Sequence, residues 1–175
     1  MRMLQTLTAK PVLYVCNVSE EEAATGNAWT EKVAAMAAEQ GAETVIISAK
    51  IEEEVAQLTD ETEKAEFLEA LSLEETGLAG VVRAGYELLE LITFFTSGPK
   101  ETRAWTVKRG AKAPQAAGAI HTDFEKGFIK AETITYETFV ELGGEQANKD
   151  AGKMRQEGKD YVVQDGDILL FRFNV

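Results

Sequence analysis

Residues 11–17 read Pro-Val-Leu-Tyr-Val-Cys-Asn, and residues 44–48 read Thr-Val-Ile-Ile-Ser. Both runs are β-rich and lack polar alternation, the pattern of strands covered on both faces in a parallel sheet. Between them Trp29, Val33, Met36 and Ala37 recur on one face of a helix, and Gly41 stands where a left-handed residue closes one. Strand, helix, strand predicts a right-handed βαβ unit with its two strands as parallel neighbours. Two strands are few for such a sheet, so the first is expected to keep an open edge and to offer a route to self-association.

Further along, Asp60 followed by Glu63 resembles a helix start, with Phe67, Leu68 and Leu71 as its buried stripe. Leu78, Val81, Val82, Leu88, Leu89 and Ile92 mark another helix. The run Glu52-Glu53-Glu54 reads as a solvated helix face, because adjacent helical positions point in different directions. From about Leu91 the pattern changes to short strands, expected over residues 92–96, 102–107, 129–135, 161–163 and 168–173, with Ile120, Phe124 and Phe128 four apart on a short helix. Strands wrapping one helix in so few residues predict an α+β mixed sheet, most economically a ubiquitin-like β-grasp. The fold class is thus α/β plus α+β, in two units, 1–90 and 91–175.

Charge separates the same two halves. The net charge is −12, yet residues 1–90 hold 18 acidic against 6 basic side chains and residues 91–175 hold 12 of each. Polyanion binding is therefore open only to the second half, where Lys100, Arg103, Lys108, Arg109 and Lys112 form one basic segment and Lys149, Lys153, Arg155 and Lys159 another. These nine residues are the candidate RNA or partner contacts. No apolar run approaches the roughly 20 residues of a membrane span, and no signal-peptide core opens the sequence, so a cytoplasmic protein without a membrane partner is expected. The single cysteine, Cys16, lies in an apolar run and reads as a reduced, buried thiol.

The chemistry-bearing motif follows the first strand: Asn17-Val18-Ser19-Glu20. The matching position after the second strand is Ser48-Ala49-Lys50. Ligands bind beyond the carboxyl ends of parallel strands, so two loops there make one wall of a pocket, and a side-chain amide is suited to reading a base edge. His121 is the only histidine and lacks companions for a metal site, so contact with Asp123 at a helix start is its expected role. No catalytic or metal-ligating residue is assigned.

Lys10–Glu20, Gly80–Gly98, Ala104-Trp105-Thr106, Ala113–Ala131, Gly152–Arg155 and the stretch from Asp165 to Val175 together resemble the YchF/Obg-like ATPases. The resemblance covers essentially the whole chain and implies the C-terminal half of such a protein: the back of a P-loop NTPase-type nucleotide domain with a helical extension, then a TGS domain of β-grasp type. It makes Asn17–Glu20 the N-x-x-E base motif that replaces N-K-x-D of ordinary GTPases, with Asn17 and the main chain at Val18 meeting adenine, and Ser48, Ala49 and Lys50 completing the base site. It also implies ATP and Mg²⁺ as ligands of the intact parent, ATP hydrolysis, and association with the ribosome through its RNA or protein. No G-x-x-x-x-G-K-[ST] occurs in the chain, so it is expected to be inactive alone and to hold no tightly bound cofactor. Two alternatives stay open: a binding module without enzymatic function, and a parent that uses GTP.

Overall fold

The computed structural model describes residues 6–98 and 101–174, and the chain divides into two compact units, Met1–Leu89 and Glu90–Val175. In the first, β1 (Leu13–Asn17) pairs in parallel with β2 (Glu43–Ile47), from Leu13 opposite Glu43 to Asn17 opposite Ile47. Helix α1 (Ala28–Gln40) makes the crossover. The Asn27 side chain accepts from the N–H groups of Trp29 and Thr30 to start it, and Gly41 at φ 65° ends it, a left-handed geometry that glycine adopts without penalty. The expected βαβ pairing is present.

Enclosure of those strands is not. No residue of β1 or β2 is buried, and Val15 is 45% exposed. The cause is sheet width, since among the described residues the two strands pair only with each other and each keeps an open edge. Helices α2 (Ala49–Gln57), α3 (Glu61–Ala70) and α4 (Gly77–Leu88) follow. Ala37, Ile51, Val55 and Ala84 supply the buried apolar contacts of this unit. Asp60 caps α3 through the N–H groups of Thr62 and Glu63, but the helix buries no residue, and Phe67 and Leu68 are only half-covered.

Glu52 departs from the solvated face expected for it. Its carboxylate accepts from the N–H of Gly77 at 2.6 Å and of Leu78 at 3.2 Å, meeting the positive end of α4 with a negative charge. Helix α4 also stops earlier than its apolar spacing implies: Glu90 takes φ 51°, and Ile92 already belongs to a strand.

The second unit is a five-stranded sheet of β3 (Leu91–Ser97), β4 (Thr102–Lys108), β5 (Phe128–Ile134), β6 (Arg155–Glu157) and β7 (Ile168–Phe173), in the order β4-β3-β7-β5-β6. Only β3 and β7 run parallel; the other neighbours are antiparallel. Helix α5 (Ala113–Ile120) contributes the buried Ala113, Ala116 and Ala117 to a core with Phe94, Val107, Ala131, Leu169 and Phe171. Three alanines let the helix approach closely enough for Phe94 to be fully buried, its ring edge-on to Phe171.

Three local expectations change here. Residues 161–163 form a single antiparallel bridge, Val162 to Lys112, and the fourth strand is Arg155–Glu157 instead. The apolar Tyr161 and Val163 pin the start of α5: the Tyr161 carbonyl accepts from the Ala113 N–H, and the Val163 N–H donates to the Ala111 carbonyl. The spacing of Ile120, Phe124 and Phe128 is not one helix, because extended His121 separates α5 from α6 (Thr122–Lys126) and Phe128 opens β5. Helices α7 (Tyr136–Leu142) and α8 (Glu145–Asp150) are additional to the sequence reading. At Gly127 the backbone lies so close to Asn174 that a Cβ would overlap its carbonyl oxygen. His121 starts α6 as expected, its Nδ1 accepting from the Asp123 N–H at 3.2 Å.

Candidate functional site

The two loops at the carboxyl ends of β1 and β2 are tied together. The Val18 N–H donates to the Ile47 carbonyl at 2.9 Å, extending the ladder by one residue, and the Asn17 Oδ1 accepts from the Ala49 N–H at 2.9 Å. A backbone N–H only donates, so this contact fixes the amide orientation and leaves Asn17 Nδ2 as the free end. Lys50 Nζ sits 2.6 Å from Glu20 Oε2 and 4.0 Å from Glu54 Oε1. The hydrogen bond to Glu20 raises the lysine's pKa above its ordinary value, keeping it charged. Beside Glu20, Ser19 caps a short 3₁₀ turn over Glu20–Glu22, its hydroxyl 2.8 Å from the Glu22 carboxylate, and that bond holds the Glu22 pKa below its usual range.

All six residues expected at the base site are therefore neighbours, but not as one pocket wall. Asn17, Ala49 and Lys50 are exposed and Val18 and Glu20 partly so, whereas Ser48 is buried with its hydroxyl unpartnered. Ser48 instead helps line a cavity of about 370 Å³ running along β2 to Glu75, Gly77 and Arg83. The remaining surface offers donors and acceptors in a definite pattern: the Asn17 Nδ2 group donates, while Val18 has spent its N–H and, among the described residues, keeps its carbonyl to accept. An exocyclic amino group, a donor, fits the carbonyl of Val18 and not its nitrogen. Glu54 was absent from the expected set; its spacing of four residues from Lys50 on a helix was the available signal.

Among the described residues the two basic segments stand apart except at Lys112. Lys100 lies outside the described residues. Arg103 and Lys108 are on β4 and Arg155 on β6, the two opposite edges of the five-stranded sheet. Arg103 stacks over the Trp105 ring at 4.2 Å, while the Trp105 indole N–H donates to Thr96 Oγ1 and packs against the core. Arg109 follows β4 in a turn; Lys149 is on α8, with Lys153 and Lys159 in the segments flanking β6. Lys112, at the start of α5, is 2.7 Å from Asp160, which holds that carboxyl below its usual range and brings Lys112 to the 158–163 segment. Arg155 lies over the Tyr161 ring and 3.2 Å from its hydroxyl, which donates to the buried Asp167 at 2.7 Å. Burial, with that bond, pushes the phenol up to about 12. Among the described residues no group of three or more His, Cys, Asp or Glu is placed to hold a metal ion, and no helix is long and apolar enough to cross a membrane.

Comparison with known proteins assigns both units to one source. Residues 91–174 match the YchF-GTPase_C family, described as "Protein of unknown function (DUF933)". The chain is 57% identical over 169 residues to the "Ribosome-binding ATPase YchF" of Haemophilus influenzae, covering 97% of this chain and 46% of that protein. It is 46% identical over 171 residues to the human "Obg-like ATPase 1", covering 96% and 43%. Among solved structures, the Schizosaccharomyces pombe YchF GTPase superposes with a TM-score of 0.77 at 38% identity, covering 94% of this chain and 44% of that one. The chain thus spans about half the length of the relatives it matches.

Proposed function

The chain belongs to the YchF/Obg-like ATPase family, and from that premise we propose that it supplies the base-reading side of an ATP site and a unit that docks on the ribosome. The observation that carries the first part is the joining of Asn17 to Ala49 and of Glu20 to Lys50, which holds two loops distant in sequence as one surface beyond the carboxyl ends of parallel strands. ATP is preferred over GTP in this reading because the Val18 carbonyl suits adenine's amino group. The sequence carries no G-x-x-x-x-G-K-[ST], and no group of three or more His, Cys, Asp or Glu among the described residues is placed to hold Mg²⁺, so hydrolysis in this reading belongs to a protein that also carries a phosphate-binding loop, and residues 1–175 alone are expected to release no phosphate from ATP. ATP and GTP titrations of Asn17→Ala in such a full-length protein test the site: ATP binding weakens by roughly 1–3 kcal/mol if the amide is buried against the base, and unchanged affinity removes Asn17 from it.

The strand order β4-β3-β7-β5-β6 with α5 against one face supports reading the second unit as a TGS domain of β-grasp type. The relatives named as ribosome-binding support a ribosomal partner and a cytoplasmic place of action. Its basic residues make two contact regions, one along β4 and one around β6. The open edges of β1 and β2 support self-association of the chain at high concentration.

A further inference from the structure

We infer that Lys50 biases which base is accepted, by holding the Glu20 carboxylate toward itself and away from the ligand. The inference rests on the reading of these loops as a base site. A carboxylate only accepts hydrogen bonds. Guanine presents two adjacent donors, its ring N–H and its exocyclic amino group, with a carbonyl acceptor beside them. Adenine presents an amino donor beside a ring nitrogen that is an acceptor. A free Glu20 would therefore attract guanine and set two acceptors against each other with adenine.

In the structure Glu20 is not free. Its Oε2 lies 2.6 Å from Lys50 Nζ, and Glu54 at 4.0 Å on the next turn of α2 keeps the ammonium on that side. The neighbouring acid does not compete, because Glu22 is held by the Ser19 hydroxyl. The opposite half of a guanine-reading pair is also taken: the Ala49 N–H, a donor suited to a base carbonyl, is occupied by Asn17 Oδ1. The Ala49 N–H is thus taken, and one oxygen of the Glu20 carboxylate is engaged and turned toward Lys50, so guanine would have to displace Asn17 from the donor and draw the carboxylate away from the ammonium to be read by both oxygens. Adenine needs neither. Lys50 keeps 65% of its side chain exposed, so the discrimination from this ion pair is modest.

The test uses residues 1–175 with AMP and GMP as probes, following the backbone amides of Val18, Ala49 and Lys50 by two-dimensional NMR through millimolar titrations. Wild type is expected to bind AMP more tightly than GMP, and Lys50→Met to improve GMP relative to AMP by roughly two- to fivefold, the range an exposed ion pair supplies. Lys50→Arg, which keeps the charge, restores the wild-type ratio, and Glu20→Gln lowers GMP binding in the Lys50→Met background. A ratio that Lys50→Met leaves unchanged, while both nucleotides still shift these amides, overturns the role of Lys50 alone. If neither nucleotide shifts them at any concentration, the base-site reading itself falls and this inference with it.

Discussion

The Asn17 side-chain oxygen accepts from the Ala49 N–H at 2.9 Å across 32 residues of sequence. Ala49 opens α2, whose first N–H groups have no partner within the helix, so Asn17 does for α2 what a capping side chain does from an adjacent position. Asn17→Ala should destabilise the first unit by about 0.5–1.5 kcal/mol, and Asn17→Asp, which keeps the acceptor, by less. Urea unfolding followed by circular dichroism measures both, and equal losses would show that the acceptor is not what matters.

Gly127 is required for its lack of a side chain. Its carbonyl accepts from the Asn174 N–H at 2.8 Å, and any Cβ would meet the Asn174 backbone, which has no flexible end to move aside. Gly127→Ala should cost about 1–3 kcal/mol in thermal unfolding of the second unit. Gly110→Ala, where no atom lies within reach of a Cβ but φ is 84°, isolates the cost of backbone strain alone.

Glu132 gives the second unit a pH dependence of definite sign. Burial pushes its carboxyl up, but Arg172 at 2.9 Å and Lys130 at 3.5 Å outweigh burial and hold the pKa below its ordinary value. As the pH falls from that ordinary value, near 4.5, the unfolded chain takes up the proton first, and stability is lost through the lower folded value. Melting temperatures from pH 7 to pH 3 should fall less steeply for Glu132→Gln. Arg172→Met leaves burial dominant and should weaken the same acid dependence; an unchanged profile in both variants would show that other carboxylates carry it.

Salt dependence separates two residues of the first basic segment. Lys112 is already paired with Asp160, whereas among the described residues no acid pairs with Arg109, so the two are unequal phosphate contacts. If ribosome binding runs through phosphates at this end of the sheet, Arg109→Ala should make the slope of log affinity against log salt shallower by about one, and Lys112→Ala by less than that. Co-sedimentation with ribosomes at several salt concentrations distinguishes them, and equal pelleting of both variants and wild type returns these residues to ordinary surface.

What was legible in the sequence was whatever a local rule carries. Asn27 was overlooked, but Gly41 and Asp60 announced helix ends by residue type, and the two apolar runs announced parallel pairing by lacking alternation. The loops Asn17–Glu20 and Ser48–Lys50 were legible as a pair because βαβ geometry puts successive loops at one end. What failed depended on partners far away in sequence. Tyr161 and Val163 look like a strand, yet they serve to fasten the start of α5, a relation fifty residues long. Glu52 looks like one of three solvated acids until α4 brings its N-terminus alongside. The separation of Arg103 from Arg155 follows from strand order, which no spacing along the chain encodes.

The strand order also governs when the second unit can fold. β7, the last of its strands to be synthesised, lies at the middle of the sheet, with β4 and β3 on one side and β5 and β6 on the other. Until residues 168–173 have been made, the two halves of the sheet have no shared strand, and Phe94 and Ala131 lack the Leu169 and Phe171 side chains that complete their core. Folding of this sheet therefore waits until residues 168–173 have been made, and every nascent copy passes through an interval in which the β3 and β5 edges stand open.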